Sequence, residues 1–203
     1  RKSVLSADRA ASRQELGIAD NQTLLLIFGG SLGARSINET FAALKQELLA
    51  RPNLRIIQST GQKLYDEVVS LMKLSDEEAA RWKVKPYISN MGATLAAADL
   101  VVSRSGASSV AEIAALELPS ILVPYPLATA DHQTTNAHLL SDAGAAILVP
   151  DNQVGTTTFS TALFELVDNA GHRKKLSEAA ATLDQRSAAS LVADAVESAV
   201  CGA

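Results

Sequence analysis

The sequence contains a single cysteine, Cys201, among its 203 residues. No disulfide can therefore form within the chain, which is typical of proteins from reducing compartments. No apolar run reaches the roughly 18–20 residues that a membrane-spanning helix needs. The sequence thus argues against a disulfide-stapled domain and an integral membrane domain, and it favours a cytoplasmic setting.

The chain also lacks a strong excess of positive or negative charge, and it contains few aromatic residues. Basic residues number 18 and acidic residues 22, the net charge is −4, and aromatic residues make up 4% of the chain. No Lys/Arg cluster stands out, so the sequence gives little reason to expect binding to nucleic acid. Hydrophobic residues reach 47%, and this composition fits helices packed on a sheet better than a β-sandwich.

What the chain does contain is an alternation of short apolar runs and segments with helical spacing. The predicted strands are 23–28, 54–61, 82–88, 100–106, 120–126 and 145–150. The predicted helices are 36–50, 63–74, 91–100, 108–118, 131–144, 158–169 and 171–200. The alternation predicts one α/β domain over residues 1–203, a Rossmann-like parallel sheet with helices on both faces. In such sheets ligands bind beyond the carboxyl ends of the strands, where this sequence has polar, glycine-bearing segments.

The first of these segments is "FGGSLGARS", residues 28–36. A strand that ends in glycines and leads into a helix suits a phosphate, because free N–H groups and the positive end of the helix dipole face the anion. The same glycines also fit a plain strand-to-helix turn. The spacing departs from the dinucleotide pattern G-x-G-x-x-G, strand 54–61 ends without an acidic residue, and no Gly-Lys-Ser/Thr forms a P-loop.

The second segment is "SRSGASSVAEI", residues 103–113. Ser108 or Ser109 could cap the helix that starts here, and Glu112 could complement the helix dipole or close a capping box. Alternatively, the helix N-terminus faces a diphosphate, and the Glu112 carboxylate accepts hydrogen bonds from both hydroxyls of a ribose.

The third segment is "PYPLATADHQTTNAHLL", residues 124–140. It delivers Asp131, His132, Gln133 and Asn136 to a helix start, and side chains that donate and accept suit the hydroxyls of a sugar. Asp131 could equally be only an N-cap, and His132 only a surface residue. The three histidines are scattered and no Asp-x-Asp pattern occurs, so the sequence predicts no metal site.

In this order and spacing, the three segments resemble the C-terminal half of the bacterial MurG glycosyltransferase family. The family's G-G-S-x-G-A-R run matches residues 29–35, its S-R-[SA]-G-A-x-[ST]-x-x-E-I run matches 103–113, and its D-H-Q-x-x-N-A run matches 131–137. One departure is Leu32, where many relatives carry Gln. The resemblance extends from residue 1 to about residue 146.

This resemblance implies the donor-binding domain of a GT-B enzyme, in which two Rossmann-like domains face a cleft. The family transfers N-acetylglucosamine from UDP-N-acetylglucosamine to lipid I, and so makes lipid II for peptidoglycan. Because the first residue is Arg1 and not Met, we expect the chain to be a C-terminal piece of a longer protein. The absent N-terminal domain would bind the lipid-linked muramyl-pentapeptide acceptor, touch the cytoplasmic face of the bacterial inner membrane and supply the catalytic base. We therefore expect this chain to bind UDP-N-acetylglucosamine, without a metal or other cofactor, and not to transfer the sugar alone.

The resemblance also implies a set of residues that bind the donor. The set is Arg1, Gly30, Ser31, Tyr87, Ile88, Met91, Ser105, Gly106, Ala107, Ser108, Ser109, Glu112, His132, Gln133 and Asn136. Within it, Gly30 and Ser31 would meet a phosphate, and residues 105–109 the rest of the diphosphate. The Ile88 backbone would bind the uracil edge and Glu112 the ribose. The three members of the third segment would contact the sugar.

Other functions stay open at this point. The chain could be a stand-alone UDP-N-acetylglucosamine-binding subunit of a split glycosyltransferase that needs a membrane-anchored partner. A sugar-nucleotide epimerase of similar architecture would need more catalytic carboxylates than Glu112 and Asp131. A nicotinamide oxidoreductase conflicts with the glycine spacing and the missing acidic residue.

Overall fold

The computed structural model describes residues 7–30, 32–128 and 131–183. Its centre is a six-stranded sheet whose strands all pair in parallel. The strands are β1 (Thr23–Phe28), β2 (Leu54–Ser59), β3 (Trp82–Lys85), β4 (Leu100–Ser103), β5 (Ser120–Leu122) and β6 (Ala146–Leu148). Their order is β3-β2-β1-β4-β5-β6, which is the order of doubly wound dinucleotide-binding folds. The predicted α/β class and the parallel sheet are thus confirmed.

Helices connect and cover the strands. In the described ranges they are α1 (Arg9–Leu16), α2 (Arg35–Ala43), α3 (Lys45–Leu49), α4 (Tyr65–Met72), α5 (Asp76–Arg81), α6 (Met91–Ala97), α7 (Ala107–Ala115), α8 (His132–Ser141), α9 (Thr157–Asp168) and α10 (Ala170–Ala181), with a 3₁₀ turn at Asp151–Gln153. None of these described helices combines the length and the apolar character needed to cross a lipid bilayer.

The sheet is buried on both faces, which explains why its strands appear in the sequence as continuous apolar runs. Along β1, Leu24, Leu26 and Phe28 pack into one core with α6, α7 and α8. Leu25 and Ile27 point the other way and pack into a second core with α2, α4 and α9. The alternation of side chains along a strand therefore supplies both cores from a single run.

Several predicted boundaries are wrong. The helix predicted over 36–50 is two helices, α2 and α3, because Leu44 leaves helical geometry at φ −82° and ψ 6°. The strands predicted to run to residues 61, 88, 106 and 126 end earlier, at Ser59, Lys85, Ser103 and Leu122. The sequence analysis does not predict α1 or α5. Of the helix predicted over 171–200, the part after residue 183 lies outside the described residues.

The topology opens a crevice at the centre of the sheet. From β1 the strand order runs outward through β2 to β3, and from β4 it runs outward through β5 to β6. β1 and β4 are neighbours, with Phe28 opposite Ser103 at their carboxyl ends. The connections therefore leave these two ends in opposite directions, which is the arrangement in which doubly wound sheets bind their ligands.

Candidate functional site

Two helices start at this crevice without a side-chain cap. α2 follows β1, α7 follows β4, and their N-cap residues, Ala34 and Gly106, make no side-chain hydrogen bond to the first turn. The first-turn N–H groups of a helix have no partner within the helix itself. Together with the positive ends of the two helix dipoles, they favour an anion at this edge of the sheet.

The glycines around the crevice fall into two groups. An ideal Cβ at Gly33 would lie 2.0 Å from the Thr60 carbonyl oxygen, and one at Gly29 would lie 2.3 Å from a backbone nitrogen at the start of α2. These two glycines are explained by close packing of backbone on backbone. A Cβ at Gly30 or Gly106 would meet no atom within 4 Å. Those two glycines therefore border open space, as a ligand contact requires.

The first turn of α7 consists of Ala107, Ser108 and Ser109. The prediction that Ser108 or Ser109 caps this helix is wrong, because the N-cap position belongs to Gly106 and both serines lie inside the helix. Glu112 is the sixth residue of α7, too far along to close a capping box. It lies half-buried on the same helix as the open first turn.

Side chains of α8 hold it against the turn that precedes α7. The buried Ser105 hydroxyl donates to the Gln133 carbonyl oxygen at 2.7 Å, and the Asn136 Nδ2 donates to the Ser105 carbonyl oxygen at 3.1 Å. The Gln133 Oε1 accepts a hydrogen bond from the Tyr125 N–H at 3.0 Å. Ser105, Gln133 and Asn136, which the sequence predicts to contact the donor, thus make hydrogen bonds within the fold.

Asp131 and His132 begin α8 and are exposed. Asp131 occupies the N-cap position with a left-handed φ of 54° and makes no capping hydrogen bond. Its Oδ1 instead accepts a hydrogen bond from the Thr134 hydroxyl at 2.6 Å. The alternative in which the Asp131 side chain is simply a helix cap is therefore wrong. Backbone strain of this kind is often found at functional sites.

Segment 86–91 follows β3 at the same edge of the sheet. The Tyr87 side chain is 61% exposed, whereas the Ile88 side chain is buried in the core and Met91 packs partly against it. Among the described residues, neither backbone polar group of Ile88 has a hydrogen-bond partner. The segment thus places an exposed ring next to the buried Ile88.

Two predicted site residues, Arg1 and Ser31, lie outside the described residues. Gly30, which precedes Ser31 in the chain, is described; it is exposed and has a φ of +83°. Leu32, which departs from the family pattern, is 74% exposed.

Two arginines near the crevice form ion pairs. The Glu67 carboxylate accepts a hydrogen bond from Arg35, the first residue of α2, and this bond raises the pKa of the Arg35 guanidinium. Arg104, between β4 and α7, is buried and forms an ion pair with Asp151. The sequence analysis assigned no role to Arg104 or Asp151. Across the described ranges, no three His, Cys, Asp or Glu side chains cluster as metal ligands do.

Comparisons with known proteins identify relatives of this chain. The model of the glycosyltransferase family 28 C-terminal domain matches residues 24–193. The chain is 39% identical over 200 residues to the UDP-N-acetylglucosamine–N-acetylmuramyl-(pentapeptide) pyrophosphoryl-undecaprenol N-acetylglucosamine transferase of Desulforudis audaxviator, covering 97% of this chain and 54% of that protein. The chain thus spans about half the length of the curated relatives it matches.

Solved structures extend the likeness to three dimensions. The crystal structure of MurG from Acinetobacter baumannii superposes with a TM-score of 0.71 at 31% identity, covering 93% of this chain and 53% of that one. The C-terminal CMP-Kdo binding domain of WaaA from Acinetobacter baumannii shares the fold, with a TM-score of 0.62 at 15% identity over 85% of this chain. The resemblance predicted from the three segments is confirmed, and the chain belongs to the glycosyltransferase family 28 C-terminal domains.

Proposed function

We propose that this chain is the donor-binding half of an inverting glycosyltransferase. The enzyme moves N-acetylglucosamine from UDP-N-acetylglucosamine to lipid I, a lipid-linked muramyl pentapeptide, and so makes lipid II for peptidoglycan. The Desulforudis audaxviator relative is an N-acetylglucosamine transferase named for this reaction, which supports the choice of donor and acceptor.

One observation carries the proposal more than any other: two helix starts without side-chain caps flank the same crevice. A nucleoside diphosphate sugar carries its two negative charges at its centre. With the diphosphate between α2 and α7, backbone N–H groups from both sides bind it, and both helix dipoles favour it.

The rest of the donor follows from this placement. On the β3 side, uracil lies over the exposed Tyr87 and hydrogen-bonds the Ile88 backbone, with Met91 behind it. The ribose lies over α7, where the Glu112 carboxylate accepts hydrogen bonds from both ribose hydroxyls. On the β5 side, the N-acetylglucosamine meets the start of α8, with its side chains His132, Gln133 and Asn136. Arg1 and Ser31 complete the proposed set near the phosphates.

The reaction uses the same helix termini. The C4 hydroxyl of the muramyl sugar attacks the anomeric carbon, the bond from that carbon to the diphosphate oxygen breaks, and UDP leaves. Negative charge grows on the diphosphate during this step. Fixed N–H groups at the starts of α2 and α7 stabilise this charge without having to reorient.

Acceptor binding, proton abstraction and membrane contact are functions of the other half of the protein under this proposal. We propose that the acceptor, the catalytic base and the contact with the cytoplasmic face of the membrane come with the other half of the protein. The length of the relatives supports this division, since the chain spans about half of them.

Calorimetric titration of the 203-residue chain with UDP-N-acetylglucosamine tests the donor site directly. We expect selective binding over ADP and NAD. Glu112→Ala should weaken binding by about 1–3 kcal/mol, the cost of a lost hydrogen-bond partner for a charged group. Glu178→Ala is the matched control, because Glu178 pairs with Lys174 on the exposed face of α10. Equal binding of ADP, or equal affinity in Glu112→Ala and Glu178→Ala, would contradict the proposed donor site.

A further inference from the structure

A partly buried hydrogen-bonded cluster lies at the same edge of the sheet as the crevice. The Arg104 guanidinium is 2.6 Å from the Asp151 Oδ1 and donates to the Ser36 hydroxyl at 3.1 Å. The Ser36 hydroxyl in turn donates to the same carboxylate oxygen at 2.6 Å. The Arg104 side chain is 10% exposed and that of Asp151 is 22% exposed. The three groups therefore form a closed ring that is largely shielded from water.

The cluster connects four segments at the carboxyl edge of the sheet. Ser36 is the second residue of α2, Arg104 lies two residues before the N-cap of α7, and Asp151 follows β6. Arg104 also donates to the Pro124 carbonyl oxygen, after β5, at 3.0 Å, and its backbone N–H bonds the Phe28 carbonyl oxygen at 3.4 Å. Arg104, which directly follows β4, thus also contacts the end of β1. The two uncapped helices follow these two strands.

We propose that Ser36 and Asp151 are positioning residues that act through Arg104 and fix the spacing between the starts of α2 and α7. This inference rests on the proposed function, because that spacing matters if a diphosphate lies between the two helices. Asp151 compensates the buried guanidinium charge, and the planar guanidinium holds each partner in a fixed direction. Ser36 carries the constraint from Arg104 to α2.

Ser36→Ala is the sharpest variant, because it removes the link to α2 and leaves the Arg104–Asp151 ion pair in place. Alanine also favours a helix more than serine does, so the variant should fold. Ser36→Thr keeps the hydroxyl and should restore the link. Ser160→Ala is the matched control, since the Ser160 hydroxyl donates to the Thr157 carbonyl oxygen within α9.

The readout is a ligand series of uridine, UMP and UDP, titrated into wild type and the three variants. We expect Ser36→Ala to weaken UDP binding about tenfold, the equivalent of one hydrogen bond, and to change uridine binding less than twofold. Ser36→Thr and Ser160→Ala should bind as wild type does. Equal weakening of uridine and UDP, or no weakening of UDP, would overturn the positioning role.

Amide resonances give a second readout that needs no ligand. If the cluster connects the helices, Ser36→Ala should shift the backbone amides of Ala107, Ser108 and Ser109, although these residues are on the other helix. Unmoved amides would overturn the inference. If wild type binds none of the three ligands, the proposed donor site fails, and the amide shifts alone still decide whether the cluster couples α2 to α7.

Discussion

Gly33 and Gly106 both border the crevice, but a methyl group added at each would meet different surroundings. Gly33 has a φ of +78°, and its added Cβ would collide with the Thr60 carbonyl oxygen. Gly106 has a φ of −63° and a ψ of 145°, which any residue adopts, and its added Cβ would meet nothing. At Gly33 the fold requires glycine, whereas at Gly106 the proposed ligand does.

Substitution separates these two requirements. Gly106→Ala should leave the free energy of unfolding within about 1 kcal/mol of wild type, because the backbone there suits alanine. The same variant should weaken UDP binding at least tenfold, roughly 1.4 kcal/mol, since its methyl group occupies the space proposed for the diphosphate. Denaturant unfolding and calorimetric titration measure the two effects.

Gly33→Ala is the contrasting variant. It should lower the free energy of unfolding by roughly 2 kcal/mol or more, from left-handed strain and the backbone clash together. If Gly106→Ala binds UDP as wild type does, the open space at Gly106 is not the ligand site. If it unfolds as readily as Gly33→Ala, the fold requires glycine at Gly106 as well.

At the scale of single elements, α7 ends in a Schellman motif with an unusual residue. The Leu118 N–H bonds the Ile113 carbonyl oxygen, and the Glu117 N–H bonds the Ala114 carbonyl oxygen, both at 3.0 Å. Glu117 therefore takes the left-handed position, at a φ of 52°, where glycine is usual. Leu118 and Ile113 pack in the same core, so the motif is retained despite the strain.

Glu117→Gly should stabilise the protein. The left-handed conformation costs a non-glycine residue roughly 1–2 kcal/mol, which glycine avoids. Glycine in turn lowers the stability by about 0.4–1 kcal/mol, because it increases the entropy of the unfolded chain. A net gain of about 0.5–1 kcal/mol should appear in denaturant unfolding. Glu117→Ala is the control, because alanine has the same strain. A gain in Glu117→Ala equal to that in Glu117→Gly would mean that the glutamate side chain, and not its backbone, is unfavourable.

The elements differ in how far their sequences predict them. Buried strands are predictable, because a strand covered on both faces must be apolar, and β1 has the predicted bounds. α5 contains no buried residue, so it has no apolar periodicity to detect. Its remaining signal is the capping box of Ser75 and Glu78, which the structure shows with both hydrogen bonds. α1 likewise has its signals at the ends, in the Asp8 cap and the left-handed Gly17.

The site was predictable to the extent that its parts are local. Strand, turn and helix start adjoin in the sequence, so residues 103–113 alone predict a helix start here, one residue after the observed start at Ala107. The Arg104 cluster could not, because its partners Ser36 and Asp151 are distant in sequence and only the order of the strands brings them together. The hydrogen bonds that Gln133 makes with Ser105 and Tyr125 likewise depend on how α8 packs against the neighbouring turns.

For the whole molecule, the carboxylates along the carboxyl edge limit what this chain can catalyse. Asp151 is paired with Arg104, and Asp131 accepts the Thr134 hydroxyl. Under the proposed function, Glu112 holds the ribose. A general base must be within hydrogen-bond reach of the attacking hydroxyl, and these three groups already have other partners. Under the proposed function, we therefore expect the base to come from the other half of the protein.

We accordingly expect the 203-residue chain to bind UDP-N-acetylglucosamine and not to transfer the sugar. The assay uses radiolabelled donor and a lipid-linked muramyl-pentapeptide acceptor, with the full-length relative from Desulforudis audaxviator as the positive control. Labelled lipid product from the pure chain, above that of a reaction without protein, would contradict this division of labour. In that case His132→Ala tests whether His132, which is exposed at the start of α8, is the base. Loss of transfer with donor affinity intact would assign the base to this chain.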